Sequence, residues 1–159
     1  MTGTADLCDA REDVHACALA FRSFGLRHRF AGPVRTVRAH GDIMVIRQAL
    51  SEPGLGHVLV IDAEGSARAF FGDFMAGLVV SNQWAGVVVN GGARDSVEID
   101  LMDVGVKALG THPRRGERTG NGEREVPVTF GGVTFFPGRW LVADRDGVVV
   151  LPEGLADTP

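Results

Sequence analysis

Short apolar runs alternate with amphipathic stretches through the middle of the chain. Segment 42–51 has apolar positions at helical spacing, namely Ile43, Ile46, Ala49 and Leu50. By contrast, 57–62 is a nearly continuous apolar run, which is typical of a strand buried on both faces. The two patterns then predict, in chain order, a strand at 67–71, a helix at 73–82, a strand at 86–90, a helix at 96–102 and a strand at 106–109. This alternation predicts a parallel α/β layer.

The two ends of the chain carry different patterns. Thr4 before the acidic stretch 5–9 predicts a capped short helix, and a second short helix is expected at 11–16. Alternation predicts a strand at 29–39. Beyond a polar loop at 111–122, the pattern predicts a hairpin with strands at 126–130 and 133–136, then strands at 140–143 and 148–151 around a second turn. We therefore expect one compact α/β domain over residues 1–159, with a mixed sheet and antiparallel hairpins near its C-terminus.

Composition and charge exclude several classes of function. The net charge of −4 and the absence of tyrosine argue against a nucleic-acid-binding surface. No apolar run approaches the roughly 20 residues that cross a bilayer, and the N-terminus lacks the apolar core of a secretory signal. Two cysteines, Cys8 and Cys17, are expected to be buried, reduced thiols. We expect a cytoplasmic protein that binds neither nucleic acid nor membrane.

The first candidate site lies where a predicted strand meets a predicted helix, at Gly72-Asp73-Phe74-Met75. The first amides of a helix have no internal partners, so they can hold a carboxylate or a phosphate. Gly72 would let a ligand approach the main chain because it has no Cβ. The alternative interpretation, in which Asp73 only caps the helix, is favoured by this segment taken alone.

The second candidate site follows the next predicted strand, at Arg94-Asp95. The planar guanidinium of Arg94 matches a carboxylate in two places. Asp95 is a hard oxygen ligand that suits Mg²⁺ or Mn²⁺, and its alternative role is again a helix cap. Because successive parallel strands end at the same edge of a sheet, we expect both segments to form one site.

Other motifs offer little. Gly54-Leu55-Gly56 lacks the third glycine of a dinucleotide-binding turn, and the five histidines show no paired metal-ligand spacing. The basic segment 114–118 is expected to be a solvated or intersubunit arm, with attraction of an anionic partner as the alternative.

Asp73, twenty further residues and then Arg94-Asp95 resemble the signature of the RraA-like family, which includes regulators of ribonuclease E activity and class II 4-hydroxy-4-methyl-2-oxoglutarate aldolases. Segments along nearly the whole chain resemble the family as well. They are Thr4-Ala5-Asp6-Leu7-Cys8-Asp9-Ala10, Phe30-Ala31-Gly32-Pro33, Trp84-Ala85-Gly86-Val87-Val88, Gly105-Val106-Lys107-Ala108-Leu109-Gly110-Thr111, Val128-Thr129-Phe130-Gly131-Gly132-Val133 and Asp144-Arg145-Asp146-Gly147-Val148-Val149-Val150.

The resemblance implies a swivelling β/β/α fold, assembled as a homotrimer or a dimer of trimers with sites between subunits. It further implies that the turn from Gly72 to Met75 and the guanidinium of Arg94 bind the carboxylate of a small 2-oxo acid. Asp95 would hold a divalent cation, Mg or Mn, and Asp73 would orient or deprotonate a bound water.

The implied activity is a metal-dependent lyase that cleaves 4-hydroxy-4-methyl-2-oxoglutarate to pyruvate and decarboxylates oxaloacetate. The alternative is a non-catalytic protein that binds and regulates ribonuclease E. Family members that act only as regulators tend to lack the aspartate after the arginine, so Asp95 favours the enzyme.

Overall fold

The fold is built from short helices around one large sheet. A computed structural model describes residues 2–152 of the 159. Its helices are α1 (Thr4–Ala10), α2 (Met44–Leu50), α3 (Asp73–Ser81) and α4 (Ser96–Asp100). Its strands are β1 (His15–Ala16), β2 (Arg22–Phe24), β3 (Phe30–Arg38), β4 (Val58–Phe71), β5 (Gly86–Ala93), β6 (Val106–Ala108), β7 (Gly110–Thr111), β8 (Glu123–Arg124), β9 (Val128–Phe130), β10 (Val133–Phe135), β11 (Trp140–Asp144) and β12 (Gly147–Leu151).

The large sheet is mixed, as predicted. Its order is β1-β12-β11-β3-β4-β5-β6-β2, with β7 beside β5 and β8 beside β3. Strands β3, β4, β5 and β6 run parallel, whereas β11, β12, β1 and β2 pair antiparallel to their neighbours. The predicted hairpin is present as β9 and β10, joined by Gly131-Gly132 with both glycines at positive φ. The α/β fold class is therefore confirmed.

Strands β5 and β6 and the first half of β4 are buried on both faces, which explains their continuous apolar runs. Leu59 and Ile61 of β4 pack against the helices, while Val58 and Val60 pack against the β9–β10 hairpin on the opposite face. All four side chains are fully buried. Because successive side chains point to opposite faces of the sheet, one strand contributes to two apolar layers.

Four local predictions are corrected. Cys8, which was expected to be buried, is exposed. The second short helix expected at 11–16 is wrong, because this segment forms a turn and then β1, which pairs with β12. Thr4 does not cap α1 through its side chain; its hydroxyl donates to Asp144 at 2.7 Å. The separate strand expected at 67–71 is the second half of β4, which reaches residue 71 through irregular pairing with β5. No helix within residues 2–152 is long and apolar enough to span a bilayer.

Candidate functional site

Two strand-to-helix junctions lie side by side at the carboxyl edge of the parallel strands. β4 ends at the buried Phe71, and Gly72 leads into α3. β5 ends at Ala93, and Arg94-Asp95 leads into α4. The main chain joins the junctions directly, because the Arg94 amide donates to the Phe71 carbonyl oxygen at 2.9 Å. The structure thus brings the two predicted segments together.

Asp95 adopts a left-handed backbone conformation, with φ of 59°. Few residues other than glycine do so, although aspartate is among those that do so most readily. The Asp95 carboxylate does not cap its own helix. Instead it turns toward α3 and accepts a hydrogen bond from the Asp73 amide at 3.0 Å. The alternative role expected for Asp95, a helix cap, is therefore wrong for its side chain, which makes no capping hydrogen bond to α4.

Gly72 makes this contact possible. A Cβ at position 72 would lie 2.8 Å from Oδ2 of Asp95, inside ordinary van der Waals distance. The same Cβ would lie 3.6 Å from Cγ of Arg94, which is an ordinary contact. The absence of a side chain at 72 therefore lets the carboxylate rest against the turn that begins α3.

The amides of Phe74 and Met75 follow in the first turn of α3. Neither has an intrahelical carbonyl to bind, because the helix begins at Asp73. The positive end of the helix dipole lies at the same turn and favours negative charge there. Arg94 is half-buried beside the turn, with its guanidinium donating to the Pro113 carbonyl oxygen at 3.3 Å. The arrangement can hold an anion between main-chain amides and a guanidinium.

The two carboxylates influence each other. Hydrogen bonding with the Asp95 carboxylate, followed by partial loss of hydration and repulsion from the same group, raises the pKa of Asp73 above its ordinary value. A carboxyl group with a raised pKa is better matched to proton transfer near neutral pH. A cation between the two groups would relieve their repulsion.

The donor set suits one kind of metal. Within residues 2–152, no group of three or more His, Cys, Asp or Glu side chains could hold a metal ion. The residues around the two junctions include Asp73 and Asp95 but no His or Cys, so they offer two hard oxygen donors and neither imidazole nor thiolate. Zinc usually takes three or four protein ligands, whereas Mg²⁺ is often bound by one or two carboxylates completed by water and substrate. The residues fit Mg²⁺ or Mn²⁺.

A cavity of about 110 Å³ opens over this pair of junctions. Its lining includes all six predicted site residues, together with Arg47, Arg115 and Arg118, which the sequence analysis did not assign to the site. The basic segment 114–118 was the available signal for two of these arginines. Arg47 lies on α2 and had no local signal. A larger cleft of about 1090 Å³ lies at the opposite edge of the sheet and contains none of the predicted residues.

Comparison with known proteins gives a family and several functional names. A profile of the RraA-like family, described as Aldolase/RraA, matches residues 4–150. A Laribacter hongkongensis protein named "Putative 4-hydroxy-4-methyl-2-oxoglutarate aldolase" is 50% identical over 96% of this chain and 97% of its own. A solved Geobacillus kaustophilus structure, described as an S-adenosylmethionine:2-dimethylmenaquinone methyltransferase, has a TM-score of 0.93 at 41% identity and covers 99% of both chains. The RNA-processing inhibitor RraA from Thermus thermophilis has a TM-score of 0.91 at 40% identity and covers 98% of both.

Proposed function

We propose that this chain, which belongs to the RraA-like family, is a divalent-metal-dependent lyase that cleaves 4-hydroxy-4-methyl-2-oxoglutarate and decarboxylates oxaloacetate. The observation that carries the proposal is the contact between the Asp95 carboxylate and the Asp73 amide, beside the Arg94 guanidinium. In this proposal the Asp95 carboxylate is the cation ligand, and the adjacent turn binds the carboxylate of the substrate. The aldolase name of the Laribacter relative supports the same reaction class.

Each site residue has a role in this proposal. The amides of Phe74 and Met75, with the guanidinium of Arg94, bind the carboxylate next to the keto group of the substrate. Gly72 leaves room for the Asp95 carboxylate to lie against the same turn. Asp95, with Asp73 beside it, would hold the divalent cation. When bound, the cation supplies a Lewis acid for the keto oxygen, where negative charge develops as pyruvate is released.

Asp73 is the group we assign to proton transfer. Cleavage of 4-hydroxy-4-methyl-2-oxoglutarate removes the proton of the 4-hydroxyl, breaks the C3–C4 bond and gives two molecules of pyruvate. Asp73 lies beside the Asp95 carboxylate, and in this proposal its own carboxylate accepts this proton, directly or through water, and returns it to C3. Such general acid–base catalysis contributes a factor of roughly 100 or more in rate.

Pyruvate release measured with and without Mg²⁺ tests the enzyme. We expect turnover of both substrates to require the cation, and Asp95→Asn to lower kcat/KM by roughly 100-fold or more, since it removes a charged ligand. Asp103→Asn is the matched control, because Asp103 is an exposed aspartate whose carboxylate pairs with Arg27. Turnover that is the same with and without Mg²⁺, or full activity in Asp95→Asn, would contradict the proposal.

A second function, regulation of a ribonuclease such as ribonuclease E, is favoured by the similarity to the Thermus RNA-processing inhibitor. Binding to a protein partner needs surface complementarity and not the Asp95 carboxylate. Inhibition of RNA cleavage by the wild-type chain, retained in Asp95→Asn, would support it. A chain that neither binds ribonuclease E nor slows RNA cleavage would exclude it.

The assembly is also a proposal. Val97 and Leu101, one turn apart at α4, are 72% and 78% exposed, and Leu26 beside them is 60% exposed. Exposed apolar neighbours of this size often mark a protein interface. We propose a homotrimer or a dimer of trimers of a single cytoplasmic domain, residues 1–159. Light scattering at micromolar concentration tests it, and a monomer would contradict it.

A further inference from the structure

The cavity over the two junctions carries more positive than negative charge. Four arginines line it, namely Arg47, Arg94, Arg115 and Arg118, against the two carboxylates of Asp73 and Asp95. Binding of one carboxylate by Arg94 and the helix amides leaves the other three guanidinium groups without an assigned role. A ligand with a second negative charge would match this lining.

Arg47 is held in place without an ion pair. Its guanidinium lies over the ring of Phe74, 4.5 Å from the ring centre, and no Asp or Glu within residues 2–152 forms a salt bridge with it. Stacking on an aromatic face orients a guanidinium and leaves its N–H edge available. Because Phe74 lies in the first turn of α3 and both side chains line the cavity, Arg47 lies along the wall of the same cavity.

Arg118, from the basic segment 114–118, also lines the cavity. Its side chain is exposed, and no hydrogen bond or ion pair occupies it in the described part of the chain. Arg115 is less available, because its guanidinium already donates to the Gly116 carbonyl oxygen at 2.8 Å. The pair best placed to receive a further anion is therefore Arg47 and Arg118.

The second carboxylate is retained in one proposed reaction and lost in the other. In 4-hydroxy-4-methyl-2-oxoglutarate the C5 carboxylate keeps its charge and leaves on the second pyruvate. In oxaloacetate the C4 carboxylate is itself lost as carbon dioxide, so its charge moves toward C3 in the transition state. An ion pair to that carboxylate stabilises the oxaloacetate ground state more than the transition state, which slows decarboxylation. The same ion pair does not hinder aldol cleavage.

We infer that Arg47 and Arg118 form a second carboxylate subsite that selects dicarboxylic 2-oxo acids and favours aldol cleavage over decarboxylation. This inference rests on the proposed lyase function for its kinetic consequence, but not for its binding consequence. Arg47 and Arg118 are specificity-determining residues in it, and Phe74 positions Arg47.

Steady-state kinetics test the selection. We expect Arg118→Gln and Arg47→Gln each to lower kcat/KM for 4-hydroxy-4-methyl-2-oxoglutarate by about tenfold or more, since each removes a charged hydrogen bond. The kcat for oxaloacetate decarboxylation should stay unchanged or rise. Arg114→Gln is the control, because Arg114 belongs to the same loop but does not line this cavity. Equal losses of kcat/KM for both substrates, or wild-type kinetics in both variants, would overturn the inference.

Calorimetry separates this inference from the proposed function. In the presence of Mg²⁺, we expect the wild-type protein to bind 2-oxoglutarate about tenfold or more tightly than 2-oxopentanoate, which lacks the second carboxylate. Arg118→Gln should abolish this preference. If the wild type releases no pyruvate from any substrate but keeps the preference, the lyase proposal fails and the subsite stands. If the wild type shows no preference, the subsite is refuted whatever the activity.

Discussion

Replacing Gly72 by alanine tests whether the Asp95 carboxylate must lie against the turn that begins α3. The new Cβ would lie 2.8 Å from Oδ2 of Asp95, where ordinary contacts begin near 3.4 Å. The carboxylate must therefore move by about 0.6 Å or more, and its hydrogen bond from the Asp73 amide must lengthen or break. Because a displacement near 1 Å can cost about 100-fold in rate, we expect kcat/KM to fall by roughly 10- to 100-fold. This corresponds to about 1.4–2.8 kcal/mol of transition-state stabilisation.

The fold should survive the Gly72→Ala substitution. The backbone at Gly72 is extended and suits any residue. Alanine therefore stabilises the folded state by about 0.4–1 kcal/mol, because it lowers the entropy of the unfolded chain. Loss of one hydrogen bond to a charged group costs about 1.5–3 kcal/mol at most. We therefore expect the free energy of unfolding to fall by about 0.5–2.6 kcal/mol, with the fold intact by circular dichroism.

Gly77→Ala is the matched control for this variant. Gly77 lies in α3, and a Cβ there would meet nothing within 4 Å. We expect it to keep full activity and to gain about 0.5–1 kcal/mol in stability, as alanine does inside helices. Pyruvate release followed by a coupled NADH assay measures all three proteins. Wild-type kcat/KM in Gly72→Ala would refute the idea that the site needs Asp95 against this turn.

Three further predictions concern stability and reactivity. Burial opposes ionisation of Asp144, but hydrogen bonds from the Thr4 amide and hydroxyl outweigh it and lower its pKa. The stability it contributes is therefore present above about pH 4 and lost as the pH falls further. In Asp144→Asn, the free energy of unfolding from chemical denaturation should therefore fall less steeply as the pH is lowered below about 4. Ile61→Ala, at a fully buried position, should lower the free energy of unfolding by about 2–5 kcal/mol in urea titrations. Burial raises the pKa of Cys17, so a thiol reagent at neutral pH should modify the exposed Cys8 first, and equal rates would contradict this.

The elements that periodicity predicted are those whose stability comes from their own pattern. α3 and β5 begin where the sequence indicates, at Asp73 and Gly86, because Gly72-Asp73 before an apolar run and the continuous buried run of β5 are local signals. β1 was missed because its two residues form a strand only by pairing with β12, far along the chain. A helix pattern over so few residues carries little information.

The site was partly accessible from sequence for the same reason. The two junctions follow predicted parallel strands, so their shared edge could be inferred from topology. The left-handed backbone of Asp95 and its contact with the Asp73 amide could not, since both arise from packing of α4 against α3. Arg47 reaches the cavity only through the placement of α2 over the sheet. No local pattern marks it.

A crystal structure with Mn²⁺ and oxalate, a non-reacting analogue of the pyruvyl end, tests the central proposal most directly. We predict anomalous density for the cation beside the Asp95 carboxylate, and oxalate between the amides of Phe74 and Met75 and the guanidinium of Arg94. A cation bound elsewhere on the molecule, or a cavity without oxalate at saturating concentration, would contradict it.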